Sequence, residues 1–259
     1  MRKRLKSDLA WSSPDRIVVR GLNLADDIIG KVSLGDMAFL ELKGRLPTQQ
    51  ESAVFNALTV TLVEHGVTPS SIAARVTYFG APESLQGAVA AGLLGMGDRF
   101  GGSTEEAART LQEAVAKAGP DADLRAVAKQ VVAEHRAAKR VIAGLGHPIH
   151  KPIDPRTPRL FAVAAENGLS GRFVELVQLI GEEATAAYGR DLPVNATGAI
   201  AALASELEIH WKVCRGLAVM ARAIGLVAHI QEEMNDPMAA ELWLRTEEEA
   251  TEHRRQGGG

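Results

Sequence analysis

Gly144-Leu145-Gly146-His147-Pro148-Ile149-His150-Lys151-Pro152-Ile153-Asp154-Pro155-Arg156 decides how the rest of the chain is read. Its prolines remove backbone N–H donors and fix φ, while its glycines free φ, so the stretch is neither a helix nor a central strand. It is a shaped loop. It also holds two histidines, a lysine, an aspartate and an arginine, the content of a loop that binds a ligand. Gly146 lets the backbone approach a ligand, His147 can donate to or accept from a reacting oxygen, and Arg156 can grip a carboxylate with two parallel donors. An ordered surface turn has the same composition, and spacing alone leaves both readings open.

On either side the apolar residues recur at helical spacing. Downstream they predict helices at about 158–167, 172–188, 196–208, 211–225 and 226–234, separated by Gly168, Pro193 and Gly225. Upstream, Asp121 to Asp123 caps a helix from Leu124 to about Arg140. Ser103-Thr104-Glu105-Glu106 supplies a capping hydroxyl and first-turn acids for one ending near Ala118. A segment starting near Pro82-Glu83-Ser84 runs to Gly95, and a Ser-capped one lies between Pro69 and Tyr78. Thr48 opens a helix that ends at His65-Gly66, and Ser33 caps one that Gly44 closes. Only Ile17 to Arg20 reads as a strand, so a short hairpin or extended arm precedes the helices. No period of 20 to 50 residues repeats, which excludes a solenoid.

Composition agrees with an all-α class. Aromatics are 4% of the 259 residues, apolar residues 46% and charged residues 24%, with alanine abundant. A formal net charge of -3, from 29 basic and 32 acidic residues spread through the chain, gives no reason to expect nucleic acid as a partner. Cys214 is the single cysteine, so no internal disulfide is expected and a reducing, cytoplasmic setting is. The basic Met1 to Lys6 start is not followed by the apolar run of an export signal. Apolar runs such as Ala88 to Met96 fall short of the roughly 20 residues that cross a bilayer, so no membrane is expected. The absence of a Cys/His cluster predicts no metal, and Gln256 to Gly259 reads as a disordered end.

Gly144-x-Gly146-His147 followed by Asp154-Pro155-Arg156 resembles the signature of the citrate synthase superfamily. The resemblance extends over nearly the whole chain. Arg20-Gly21 through Gly44-Arg45-Leu46-Pro47 is similar to the family's N-terminal pattern, Glu64-His65-Gly66 to its acidic-His-Gly helix end, and Arg222-Ala223-Ile224-Gly225 to its late Arg-Ala-x-Gly. Gly92-Leu93-Leu94-Gly95-Met96-Gly97-Asp98-Arg99-Phe100-Gly101-Gly102 resembles the citryl-CoA lyase branch, which shares Phe100 where true citrate synthases place a histidine.

The resemblance implies a helical fold with a large domain (1–102 with 206–259), a small domain (103–205) and a short extended arm, assembled as a homodimer. It implies coenzyme A, as a thioester, and an oxo acid as the small molecules handled, with no metal. His147 would meet the hydroxyl or carbonyl oxygen of the substrate, and Arg156 and Arg222 its carboxylates. His65 and Phe100 would line its pocket, and Gly144, Gly146 and Lys151 would lie beside CoA. His229 can equally be a core, interface or ligand histidine. The implied activity is cleavage of citryl-CoA, or a related 3-hydroxy-3-carboxyacyl-CoA, into an acyl-CoA and an oxo acid.

Two positions depart from the family pattern. Where the family carries its catalytic aspartate, Pro193-Val194-Asn195-Ala196 places an amide, which does not titrate in the useful range. Asn195 is thus a candidate to orient a water or polarise a thioester carbonyl, or to cap a helix, with Asp191, Asp98 and His65 as other candidate bases. Asn235-Asp236-Pro237-Met238 stands where the family often has Arg-Pro, so an acid replaces a base that would clamp a third carboxylate. A condensing enzyme of the citrate synthase type and a catalytically silent CoA-thioester binder are the alternatives that these departures keep open.

Overall fold

In the computed structural model, which describes residues 5–146 and 151–255, the helical spacing becomes eleven α-helices among the described residues. They are α1 Leu34–Lys43, α2 Gln49–Val63, α3 Pro69–Gly80, α4 Leu85–Leu94, α5 Ser103–Ala118, α6 Leu124–Ala137, α7 Arg156–Glu166, α8 Arg172–Tyr188, α9 Ala196–Glu206, α10 Trp211–Asn235 and α11 Ala239–Arg255. The all-α class is correct. The strand-like run at Ile17 is the middle of a small antiparallel sheet, β1 Ala10–Ser12, β2 Ile17–Val19 and β3 Leu22–Asn23, in that order. The apolar spacing after it forms a π-helical turn, Leu24–Ile28, capped by the Asn23 side chain. The tail Gln256 to Gly259, expected to be disordered, lies outside the described residues.

Helix ends follow local chemistry. Ser33 Oγ accepts from the Asp36 N–H, and Gly44 closes α1 in the left-handed conformation at φ 74°. Thr68, rather than a serine, caps α3 in a reciprocal pair with Ser71. Ser103 is no cap, because the π-helical turn Gly97–Gly102 runs directly into α5 and leaves no helix start to satisfy. Gly225 does not separate two helices: α10 passes through it unbroken. A Cβ there would lie 2.2 Å from the Val63 carbonyl oxygen, so the glycine answers a close backbone approach and not a break. α11, polar on most of its surface, was not anticipated; its first turn is held by the Glu233 carboxylate, which accepts from Met238 and Ala239 N–H groups.

The chain divides into two compact units, residues 1–59 with 104–214 and residues 60–103 with 215–259. In the first, Val19, Ile28 and Leu40 form one cluster, and Phe39 meets Phe55 edge to face at 5.4 Å. There α8 packs on α6 and α9, and α9 also packs on α7. α9 is buried along almost its whole length, which its small alanine and glycine side chains permit. In the second, α3 and α4 pack closely around Ala74, Ala88, Leu226 and Ile230. α10 is long and apolar enough to cross a bilayer. Its Leu217, Leu226 and Ile230 are fully buried and its Arg222 and Glu233 are paired within the protein, so it is a core helix.

Candidate active site

In the first unit the Gly144 loop is tied to the start of α9 by backbone. Asn195 N donates to the Gly144 oxygen at 2.9 Å, Gly146 N to the Pro193 oxygen at 2.8 Å, and Leu145 bridges Val194. Gly144 sits at φ +92°, and a Cβ on Gly198 would lie 2.5 Å from the Gly144 oxygen. Only glycines allow this approach.

Asn195 is fully engaged. Its Oδ1 accepts from Gly198 N at 3.1 Å, which caps α9, and its Nδ2 donates to the Gly146 carbonyl. Both halves of the amide are used, and the second use requires a donor. Asp154, buried beside it, accepts from Ala196 N at 3.0 Å, from Arg156 N at 3.1 Å, and from Arg156 Nε and Nη2 at 2.9 and 2.8 Å. Burial pushes the Asp154 carboxyl up, but the Arg156 guanidinium and the two N–H groups outweigh it and hold the group down at about 2. Arg156, at the start of α7, is thereby held in place by two parallel bonds to one carboxylate.

Next to the loop a cavity of about 1100 Å³ is lined by Arg136, Lys139, Arg140, Leu145, Gly146, Lys151, Arg190 and Asp191, among others. Five cations against one acid make it a place for a polyanion. Lys151, which the resemblance sets near CoA, lines this cavity together with Gly146. Asp191, weighed as a base, sits among these cations. The remaining cations went unnoticed in the sequence, although Arg136-x-x-Lys139-Arg140 at the end of α6 was a local signal. His147 lies outside the described residues.

In the second unit the Glu64-His65-Gly66 turn follows α2. Glu64 Oε1 accepts from His65 N at 2.8 Å, Gly66 N at 2.7 Å and His229 Nε2 at 3.2 Å, and Arg222 Nη1 approaches it at 3.9 Å. Burial raises the Glu64 carboxyl, yet the His65 N–H, His229 and the Gly66 N–H together hold it below the ordinary range. Arg222 and the His65 turn are thus brought together around the Glu64 carboxylate, which the acidic-His-Gly motif contains but to which it gives no role. Phe100 lies on the Gly97–Gly102 turn with half its surface exposed, which rules out a core aromatic. Asp98 of the same turn is paired with Arg215 Nη2 at 2.7 Å, and Asp236 is exposed in the turn between α10 and α11.

The family described as citrate synthase, C-terminal domain, matches residues 32–243. The solved citryl-CoA lyase from Hydrogenobacter thermophilus is 35% identical, with 90% of this chain and 88% of that one covered at a TM-score of 0.82. ATP citrate lyase from Methanothrix soehngenii, solved with citrate and coenzyme A, is 25% identical over 91% of this chain and 40% of that one, at a TM-score of 0.76. A probable ATP-citrate synthase of Caenorhabditis elegans is 29% identical across 82% of this chain, which spans only 21% of that protein's length.

Proposed function

The chain belongs to the citrate synthase family, and from that premise we propose that it cleaves citryl-CoA, or a related 3-hydroxy-3-carboxyacyl-CoA, into a shorter acyl-CoA and an oxo acid. The observation that carries this reading is the glycine loop fastened to α9 beside a cavity with five cations. That cavity suits the phosphates of coenzyme A. Similarity over nearly the full length of a citryl-CoA lyase supports the lyase direction, as does Phe100 in place of an imidazole.

The reaction is a retro-aldol cleavage. The tertiary hydroxyl loses its proton to His147, the carbon–carbon bond breaks, and its electron pair moves onto the thioester as an enolate, whose carbon takes a proton from solvent while His147 returns its own proton to solvent. Arg156, pinned by Asp154, and Arg222, beside Glu64, hold carboxylates. Asn195 keeps the loop carbonyls in place and moves no proton. The protein is read as a homodimer in the cytoplasm, and the chain needs no metal for these steps.

A catalytically silent CoA-thioester binder is the second reading, favoured by one observation, the amide at 195. Oxo-acid release from citryl-CoA separates the two, measured on the wild type and on His147→Ala. Cleavage abolished by His147→Ala supports the lyase; cleavage that survives it removes His147 from the mechanism. No release, together with a rise in melting temperature on adding acetyl-CoA, leaves the binder.

A further inference from the structure

His229 sits six residues before the end of α10, 8% exposed, with a charged group on each ring nitrogen. On one side, Arg75 is 1% exposed on α3, and its Nε and Nη2 lie 3.3 and 3.1 Å from His229 Nδ1. A guanidinium has five donors and no acceptor, so Nδ1 must present its lone pair. The ring proton then stands on Nε2, which lies 3.2 Å from Glu64 Oε1 and donates to it. Arg75 is itself fixed from behind by Glu233 at 3.0 Å and by Glu232. Glu64 in turn receives the His65 and Gly66 N–H groups and faces Arg222. The groups form one continuous polar row through an otherwise apolar packing of α3 on α10.

We propose that His229 is the positioning residue for the Glu64, His65 and Arg222 group: locked by Arg75 as the Nε2–H tautomer, it orients the Glu64 carboxylate, which sets the His65 turn and the Arg222 guanidinium. This rests on the reading above, in which Arg222 holds a substrate carboxylate. His229 itself touches no reacting atom. The demand on the ring is directional, since a proton on Nδ1 would point at a guanidinium and leave Glu64 without its donor. Glutamine can reproduce both contacts, because its carbonyl oxygen accepts while its amide nitrogen donates; leucine reproduces neither.

The test uses the full chain with citrate and CoA as probes. Nitrogen-15 spectra of the histidine rings are expected to show His229 with Nδ1 unprotonated and Nε2 protonated. The reverse assignment overturns the proposal whatever the substrate is. By calorimetry, His229→Leu is expected to bind citrate about tenfold more weakly and CoA as well as the wild type, and His229→Gln to recover most of the loss. Equal loss of citrate and CoA affinity marks a merely structural histidine, and unchanged citrate affinity removes the relay; either result overturns the proposal. Arg222→Ala is the control on the underlying reading. Citrate affinity unchanged in that variant, or no citrate bound by the wild type, overturns that reading and this proposal with it, whereas an effect of Arg222→Ala without one of His229→Leu overturns the proposal alone.

Discussion

Asn195 shows how much hangs on one atom. As a helix cap, aspartate would serve equally well. The second contact distinguishes the two residues, because the Gly146 carbonyl needs a donor that a carboxylate lacks. Asn195→Asp is therefore expected to cost about 1 kcal/mol at neutral pH, the low end of the range for a buried polar group deprived of its partner, because the pair is only part-buried. The carboxyl can donate only when protonated, so folding raises its pKa and the deficit shrinks as the pH is lowered to 4. Urea midpoints at pH 7 and pH 4 check this, and an Asp variant as stable as the wild type at pH 7 refutes the donor role. Asp154 behaves in the opposite sense. Its folded pKa of about 2 lies below the ordinary value of 3.8, so its stabilisation is complete above about pH 4 and is lost as the pH falls toward 2. The stability gap between the wild type and Asp154→Asn should accordingly be widest at neutral pH and close on acidification. The sequence marked both residues through their motifs. It did not reveal that Asn195 is spent on the loop, since a cap and a catalytic amide look alike until the Gly146 carbonyl is seen opposite it.

At the level of helices and loops, most of the fold was legible because caps and apolar spacing are local. Ser33, Gly44 and Asp123 act where their residue types predict. The errors arose where a distant partner decides. Gly225 reads as a helix stop, yet what it accommodates is the Val63 carbonyl, 162 positions earlier in the chain. α11 was missed because its surface is mostly exposed and polar, and it starts on N–H groups satisfied by Glu233 of the preceding helix. This gives the two glycines opposite signs from ordinary helix positions. An alanine in an exposed helix interior stabilises by about 1 kcal/mol over glycine. Gly225→Ala, with its Cβ 2.2 Å from the Val63 oxygen, and Gly198→Ala, 2.5 Å from the Gly144 oxygen, should instead destabilise by about 1–3 kcal/mol. Gly198→Ala should also weaken CoA, since it pushes on the loop that lines the cavity. Thermal unfolding of both variants decides it, and a gain in melting temperature for either would mean that the backbone yields at no cost.

For the molecule as a whole, bulk charge and local charge point in different directions. A net charge of -3 describes a chain without preference for polyanions. The cavity nevertheless collects Arg136, Lys139, Arg140, Lys151 and Arg190 against Asp191. These come from three stretches of sequence more than ten positions apart, so no composition window could register them together. Exposed charges separated by more than about 10 Å are screened at 0.1 M salt, which confines the attraction to the cavity and hides it from the average. CoA carries several phosphate charges, and its affinity should thus fall several-fold between 50 and 500 mM salt even though the protein is net acidic. Replacing Lys139 and Arg140 together with glutamine should lower the affinity at 50 mM and flatten the salt dependence, while citrate binding at Arg222 keeps its wild-type value. A CoA affinity indifferent to salt, or a double variant with the wild-type slope, would place the phosphates elsewhere on the chain.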